Sequence, residues 1–315
     1  MTATQRQAYT EFCQQVPAVP VFAQPWFLDA VAEGGEWSVA LVEDNGQVVA
    51  ALPYFLKRQL GFRYVTMPLF TKYLGPLLRP GYDNLTEQHR LLGLLQEQLP
   101  AVHAYEQQWL PALTNWLPFH WAGYQQTTQY TYRLDLREHP HWEQQLNRNM
   151  RRNLAKADAQ LQLRTDLGLE EFYRLNTLSF ARQGLQPPYT LAQLRTHDAA
   201  LAAHDARQLF FACDEQGRIH SAAYLIWDRQ AAYYHLSGDD PALRQSGSGI
   251  WLVARAIRYT QDTLGLPVFD FEGSMLASVE AIRRQFGAVQ TPYFRVWRYE
   301  SPLFRSLQWL RRALQ

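Results

Sequence analysis

One stretch of the chain constrains its fold more than any other. Residues 231–272 predict a strand, a glycine-containing turn, a helix and a second strand, in that order. The strands are residues 231–237 and 266–272, and a run with helical periodicity at 250–264 lies between them. Such a crossover places its two strands parallel in one sheet. Because the other strand patterns occur as pairs joined by tight turns, we expect mixed, mostly antiparallel sheets of the α/β (α+β) class.

The turn within this stretch has the chemistry of an anion-binding cradle. It reads Arg244-Gln-Ser-Gly-Ser-Gly249 and opens directly into the predicted helix. The first N–H groups of a helix lack intrahelical partners and point at whatever lies in front of it. Gly247 and Gly249 permit positive φ angles and close approach of the backbone to a phosphate, and Arg244 adds a cation at the rim. We therefore predict a pyrophosphate site formed by Arg244, Gln245, Ser246, Gly247, Ser248 and Gly249.

The same turn is also compatible with an ordinary helix start, in which Ser246 or Ser248 caps the helix. Two other phosphate-binding motifs fit less well. Dinucleotide-binding folds place their glycines in the first strand-helix unit of a parallel sheet, whereas these glycines follow a series of predicted hairpins. The lysine of a P-loop is also missing from the turn.

Composition and charge narrow the class of protein. At 315 residues with 47% hydrophobic residues, the chain is long enough for two domains with proper cores. Its formal net charge of +1 does not suit a protein that binds DNA through its bulk charge. Cys13 and Cys213 lie far apart without metal-ligand spacing, so we expect neither a disulfide framework nor a metal. Without a secretory signal pattern or an apolar run of about 20 residues, the expected location is cytoplasmic.

The two halves of the chain repeat one order of elements. Each contains a helix followed by a strand, a tight turn and a second strand, with the turns at Asp44-Asn-Gly46 and Glu215-Gln-Gly217. Residues 41–54 and 211–224 also share an apolar strand, an acidic residue, a turn glycine and a strand of small residues in register. We expect domains at residues 1–138 and 161–300, a basic linker helix at 139–160 and an amphipathic helix at 301–315.

The predicted linker helix has two distinct faces. Apolar residues at helical spacing predict a buried stripe of Leu146, Met150, Leu154, Ala157 and Leu161. Basic residues share most of another face, namely Arg148, Arg151, Arg152 and Lys156. Such a face is either simply solvated or contacts phosphate groups on an acceptor or a nucleic acid.

Residues 301–315 have a second amphipathic pattern. Leucines form one stripe and arginines lie elsewhere, the leucines being Leu303, Leu307, Leu310 and Leu314 and the arginines Arg305, Arg311 and Arg312. The helix either docks on its own domain or makes peripheral contact with an anionic membrane surface. Membrane contact would bring the protein to a lipid-linked partner at the inner membrane surface.

Several of these segments resemble a known superfamily. Arg244, Gly247 and Gly249 match the (Arg/Gln)-x-x-Gly-x-(Gly/Ala) pyrophosphate signature of GNAT acyltransferases. The tandem order with a basic linker helix is similar to the Fem-type (FemAB-like) branch, and residues 151–157, 269–274 and 282–287 resemble its local segments. The resemblance implies two tandem GNAT-like domains, each with a mixed, mostly antiparallel sheet flanked by helices. It also implies a degenerate cofactor site in the first domain and an acyl-donor site in the second.

The resemblance implies transfer of an acyl group from acyl-CoA or acetyl-CoA to an amine, either a small molecule or a lipid-linked acceptor. Fem-type transferases instead add amino acids from aminoacyl-tRNA to peptidoglycan precursors. This chain lacks the long, charged coiled-coil arm of tRNA-using members, so tRNA is the alternative donor. A third hypothesis is a degenerate GNAT fold that serves only as a binding module.

The chemistry of acyl transfer selects a few candidate residues. The fold implies that the backbone near Leu236 and Ser237 faces the developing oxyanion. For the general base, alternation places Asp270 and Glu272 on one face of their strand, and Glu272 at its carboxyl end is the first choice. His235 on the neighbouring strand is either a second candidate or a satisfied core residue. No G-x-S-x-G elbow is present, so no covalent intermediate is expected.

Overall fold

A computed structural model gives the structure of the chain and describes residues 1–273, 275 and 277–306. Ser274 of the Fem-like segment and the predicted helical residues 307–315 lie outside the described residues. The helices are α1 Ala3–Gln15, α2 Pro25–Val31, α3 Leu85–Glu97, α4 Leu117–Trp121, α5 Arg148–Asp158, α6 Leu169–Ala181, α7 Leu191–Ala203, α8 Ser248–Arg258 and α9 Ala277–Arg284. The strands are β1 Glu36–Asp44, β2 Gln47–Gln59, β3 Phe62–Thr66, β4 Leu77–Leu78, β5 Ala104–Gln108, β6 Gln125–Asp135, β7 Gln162–Arg164, β8 Arg207–Cys213, β9 Ile219–Trp227, β10 Ala231–Asp239, β11 Val268–Asp270 and β12 Val289–Tyr299.

The chain forms two compact units. The first comprises residues 1–129 and the chain from 292 onward, and the second comprises residues 130–291. We expected each domain to be continuous, with the first ending at residue 138. In the structure the last strand, β12, pairs antiparallel with β5, so the end of the chain is part of the first unit.

Each unit has a mixed, mostly antiparallel sheet, as predicted. In the first unit the strand order is β1-β2-β3-β5-β12, with β4 also on β2, and only the described pairing of β3 with β5 is parallel. In the second unit the order is β6-β11-β10-β9-β8-β7, and among its described pairs β10 with β11 is the parallel one. The predicted crossover through α8 therefore joins β10 and β11.

Local signals explain the hairpins and helix starts. Asn45 and Gly46 both adopt positive φ angles, 50° and 75°, which suit the tight turn between β1 and β2. The equivalent turn in the second unit ends at Gly217, with φ 75°, before β9. Asn84 caps α3 by accepting a hydrogen bond from the backbone N–H of Glu87 at 3.1 Å.

The core of the second unit lies where α5 and α8 meet the sheet. Buried residues of α8, including Trp251, Leu252 and Ile257, pack in one cluster with apolar residues of β8, β9 and β11. The predicted stripe of the linker helix joins this cluster, since Leu146, Met150, Ala157 and Leu161 are buried in it and Leu154 packs partly buried against it. The cluster fixes the position of α8 and therefore of the turn before it.

Two predicted elements end earlier than the sequence analysis expected. The helix predicted to reach Leu264 is α-helical only to Arg258 and continues as a π turn over Tyr259–Thr263. The strand predicted over 266–272 is limited to Val268–Asp270. Glu272 therefore lies beyond the strand in a left-handed conformation, with φ 54°, and simple alternation with Asp270 does not apply to it.

Candidate active site

A cavity of about 270 Å³ lies in front of the N-terminus of α8. Four residues of the predicted cradle line it: Arg244, Gly247, Ser248 and Gly249. Ser237 and Gly238 of β10 also line it, whereas Leu236, Gln245 and Ser246 are not among its described lining residues. The structure thus brings most of the predicted donor-binding residues together around one cavity.

The cradle has the backbone conformation that its glycine pattern predicts. Gly247 is left-handed, with φ 76°, and forms the N-cap position of α8. Ser246 Oγ accepts a hydrogen bond from the backbone N–H of Ser248 at 3.3 Å, but the N-cap residue itself is Gly247, so neither serine occupies the predicted cap position. A Cβ on Gly249 would meet no atom within 4 Å, so this position borders open space in the cavity. The helix start therefore exposes backbone N–H groups to a ligand.

Arg244, the cation predicted at the rim of the cradle, is paired with a carboxylate in the structure. Its Nε lies 2.7 Å from Oδ2 of Asp239, another residue of the cavity wall. Asp239 also accepts a hydrogen bond from Ser179 Oγ at 2.9 Å and lies 3.9 Å from Arg182. Arg244 is still half exposed, so its remaining N–H groups can reach a ligand.

The rest of the cavity is largely apolar. Its walls come from β10, α8, the segment after β11, and α9, through Tyr234, Ile250, Val253, Phe271, Val279 and Ile282. Arg283 of α9 also lines it. An elongated ligand with an anionic end at α8 and an apolar remainder would match this division.

The parallel pairing between β10 and β11 is short. It runs from Ala231 with Val268 to Tyr233 with Asp270, and the register of β10 on β9 shifts between Tyr234 and Leu236. Leu236 and Ser237 follow this bulge and have no described pairing with β11. The backbone predicted to face the thioester therefore lies beyond the end of the parallel ladder.

The structure brings His235 and Glu272 together. His235 Nδ1 lies 2.8 Å from Glu272 Oε1, and their side chains are only 3% and 12% exposed. Neither residue is among the described residues that line the cavity. Tyr234 lines the cavity while the His235 ring contacts α7, so the His235–Glu272 pair faces away from α8.

Asp270 occupies a different environment from Glu272. Its side chain is buried, and its Oδ1 accepts hydrogen bonds from Thr131 Oγ1 at 2.6 Å and from the backbone N–H of Glu272 at 2.8 Å. Burial raises the pKa of Asp270, against the opposing effects of these hydrogen bonds and of Arg133. This geometry suits a residue that holds Glu272 in place.

His197 on α7 is a neighbour of the His235–Glu272 pair. This histidine was not predicted from the sequence. Its ring centroid lies 5.3 Å from that of His235, and Tyr224 contacts both rings. His197 is fully buried, and burial lowers its pKa, with a further lowering from His235. A single histidine in a helix carries no sequence signal of such a contact.

The four basic residues of the linker helix, Arg148, Arg151, Arg152 and Lys156, are exposed on α5. None of them is among the described residues that line the cavity. The C-terminal end of α5 is anchored to α8, because Asp158 accepts hydrogen bonds from Trp251 Nε1 at 2.5 Å and from Arg255. The basic face is therefore a separate surface from the cradle.

Two kinds of feature are absent from the described part of the chain. No cluster of three or more His, Cys, Asp or Glu side chains is arranged to hold a metal ion there. Within the same residues, no helix has the length and apolar character to cross a membrane.

Comparison with known proteins agrees with this geometry. Residues 140–278 match the family model described as an acetyltransferase (GNAT) domain. This segment contains the linker helix, the predicted cradle and the hydrogen-bonded His235–Glu272 pair. Residues 140–278 therefore form a GNAT-type acyltransferase domain, whose general chemistry is acyl transfer, and the chain as a whole has a tandem fold similar to that of FemX.

Solved structures support the tandem fold over nearly the whole chain. FemX is 12% identical with a TM-score of 0.73, covering 97% of this chain and 98% of its own. A tandem GNAT protein from the clavulanic acid biosynthesis pathway is 12% identical with a TM-score of 0.57, and the match covers 95% of this chain and 96% of that protein. L-PGS from Bacillus licheniformis is 11% identical with a TM-score of 0.57, and the match covers 99% of this chain and 96% of L-PGS. No curated protein matches the chain by sequence.

Proposed function

We propose that the protein transfers an acyl group from acyl-CoA, with acetyl-CoA as the simplest donor, to an amine acceptor. The observation that carries this proposal is the cavity at the N-terminus of α8, lined by Gly247, Ser248 and Gly249. Backbone N–H groups at a helix start bind phosphate oxygens, and the helix dipole favours their negative charge. The apolar walls beyond the cradle suit the pantetheine arm and the acyl chain.

The proposed reaction needs an oxyanion site and a proton acceptor. The amine nitrogen attacks the thioester carbonyl, the C–S bond breaks, and the CoA thiolate takes up a proton as it leaves. Backbone N–H groups near Leu236 and Ser237 lie beyond the β10–β11 ladder and would stabilise the carbonyl oxygen. The proton of the amine would pass to the Glu272–His235 pair, whose two groups share a hydrogen bond of 2.8 Å.

An aminoacyl-tRNA donor is the second candidate. The exposed basic face of α5 favours it, because Arg148, Arg151, Arg152 and Lys156 are available to contact phosphates. The similarity in fold to FemX and L-PGS is compatible with either donor. Under both donors the acceptor is a small-molecule or lipid-linked amine, and the protein acts in the cytoplasm.

Peripheral membrane contact remains part of the proposal for a lipid-linked acceptor. Within the described part of residues 301–315, Leu303 is 63% exposed, whereas Phe304 is buried against Phe62 and Tyr64. An exposed leucine next to a docked phenylalanine would allow shallow insertion into an interface.

Thermal unfolding with each donor tests the proposal. We expect saturable stabilisation by CoA and acetyl-CoA, reaching about 2.7 kcal/mol at a hundredfold excess over Kd, because the ligand binds only the folded state. Stabilisation by aminoacyl-tRNA without any effect of CoA would overturn the acyl-CoA proposal in favour of the alternative. Binding of CoA without acyl transfer to any of a broad panel of amines would instead support a binding module.

A further inference from the structure

The hairpin between β2 and β3 has an exposed leucine at its tip. Leu60 is 86% exposed, more than any other large hydrophobic residue that the structure describes. Its backbone is left-handed, with φ 51°, and Gly61 follows with φ 79°. The hairpin between β1 and β2 has nearly the same φ values, 50° and 75°, at Asn45 and Gly46, the residue pair that such turns favour. Because a bulky side chain disfavours positive φ, the turn itself does not explain a leucine here.

Basic residues flank the tip on both strands. Arg58 and Arg63 lie directly opposite each other in the β2–β3 ladder, a pairing of like charges that disfavours the sheet. Lys57 precedes them, and residues 45–82 contain no Asp or Glu. Glu36 on β1 lies 3.5 Å from Arg58, but their side chains are 61% and 71% exposed, so this ion pair is weak. The hairpin therefore presents positive charge beside its exposed leucine.

A second exposed leucine lies next to this hairpin, within the same unit. Leu303 is 63% exposed and precedes Phe304, which is buried. The Phe304 ring packs against Phe62 and Tyr64 of β3, with centroid distances of 5.2 and 5.1 Å. Arg305 follows on the exposed side of the segment. The hairpin and the segment after β12 thus form one surface that combines exposed leucines with arginines.

We propose that this surface docks on an anionic lipid bilayer, with Leu60 inserted at the depth of the headgroups. Lys57, Arg58 and Arg63 would contact lipid phosphates around it. Apolar side chains surrounded by Lys and Arg bind the interface of anionic membranes through both apolar burial and charge. A protein partner would instead favour a larger continuous apolar patch than single leucines provide.

The inference rests on the peripheral membrane contact of the proposed function and extends it from residues 301–315 to the hairpin. It does not depend on which donor the protein uses. It also accounts for a leucine at a position where the backbone favours Asn or Gly.

Co-sedimentation of the full chain with vesicles tests the inference. Wild type should pellet with vesicles of phosphatidylcholine mixed with phosphatidylglycerol and should bind phosphatidylcholine alone far more weakly. Leu60→Asn should lower the affinity for the mixed vesicles roughly tenfold, because a leucine side chain no longer enters the interface. The variant should fold and melt at a higher temperature than wild type, since Asn45 already occupies this backbone conformation.

Leu85→Asn is the matched control. Leu85 is 62% exposed and is the first residue of α3. It lies near the opposite end of β2, where the Tyr82 hydroxyl donates to Asp44 at 3.1 Å. Leu85→Asn should therefore pellet as wild type does. Equal vesicle affinity of Leu60→Asn and wild type would overturn the inference.

Two further measurements separate the inference from the function on which it rests. Weaker pelleting of Leu303→Asn with unchanged pelleting of Leu60→Asn would refute the hairpin and support contact through residues 301–315 alone. No pelleting of wild type with the mixed vesicles would overturn both and leave a protein as the partner of this surface. CoA titration of Leu60→Asn should give the wild-type Kd. Vesicle binding that depends on Leu60 in a protein that binds no CoA would refute the acyl-CoA donor and support the hairpin.

Discussion

Glu272 owes its position to unusual backbone geometry. It adopts φ 54°, and the next residue, Gly273, adopts φ 60°. A left-handed residue with a Cβ costs on the order of 1–2 kcal/mol, so its surroundings must hold it there. The Asp270 carboxylate accepts its N–H, and a Cβ on Gly273 would collide with the carbonyl of Tyr130. These contacts aim the Glu272 carboxylate at His235.

Replacement of the carboxylate tests its role as a base. We expect Glu272→Gln to lower kcat by roughly 10²–10⁴-fold, because general-base catalysis contributes about that much. Donor Kd should stay unchanged, since Glu272 is not among the described residues that line the cavity. Glu171→Gln, at a half-exposed position on α6, is the matched control. Full activity of Glu272→Gln in a rate assay would exclude it as the base.

The buried carboxyl of Asp270 should make the stability of the fold depend on pH. Burial raises its pKa in the folded state above the unfolded value, so its contribution to stability is greatest at low pH and is lost as pH rises through the folded-state pKa. Asp270→Asn keeps an oxygen acceptor for Thr131 and for the Glu272 N–H. We therefore expect the variant to unfold at higher urea than wild type at neutral pH, with the difference shrinking below about pH 4. A variant less stable than wild type at neutral pH would contradict this account.

Helix α6 packs against strand β10, and β10 forms part of the cavity wall. Asn176 Nδ2 donates to the Ser237 carbonyl at 2.7 Å, and its Oδ1 accepts from the Tyr189 hydroxyl at 2.8 Å. A Cβ on Gly238 would collide with the backbone of Leu175 and Asn176. This close approach fixes Ser237 and Asp239, both of which line the cavity.

Substitution of Gly238 should force α6 and β10 apart. We expect Gly238→Ala to lower the free energy of unfolding by roughly 1–3 kcal/mol, because the obstructing atoms are backbone and α6 must move. Gly93→Ala on α3 is the control, since a Cβ there meets no atom within 4 Å and alanine favours a helix. Urea unfolding of both variants measures the difference, and equal stabilities would show that α6 moves without cost.

Elements with local signals could be predicted from the sequence, and long-range pairings could not. The turn at Asn45-Gly46 and the start of α8 at Gly247 follow from residue types that need positive φ. By contrast, Arg244 is neutralised by Asp239 through tertiary packing. The contact of His220 on β9 with Ser246 likewise depends on how β9 and the turn before α8 meet.

Weak sequence patterns explain the other differences between the predicted and the observed elements. Helix α1 was missed because polar residues dominate it, although Tyr9, Phe12 and Cys13 are buried. The strand at β11 was overestimated because its apolar residues continue into Phe271, where the left-handed Glu272 and Gly273 redirect the chain. The discontinuous first unit could not be predicted, since pairing of β12 with β5 joins distant segments.

At the scale of the whole molecule, charge distinguishes the two donors. The formal net charge is only +1, so any tRNA affinity must come from local basic surfaces. If tRNA is the donor, glutamine at Arg148, Arg151, Arg152 and Lys156 should flatten the slope of log K against log salt by about 3. If acyl-CoA is the donor, the same variant should bind CoA as wild type does, because none of the four is among the described lining residues. Filter binding at several salt concentrations and CoA titration of one variant decide between them.

The central claim is that the cavity before α8 binds the donor, and calorimetric titration with CoA tests it most directly. Gly249→Leu is the informative variant, because a side chain there enters open space in the cavity without backbone strain. Gly93→Leu is its matched control on another helix. The account predicts one binding event in wild type and Gly93→Leu and its loss in a folded Gly249→Leu. Equal CoA affinity in Gly249→Leu and wild type, or no binding by wild type, would contradict it.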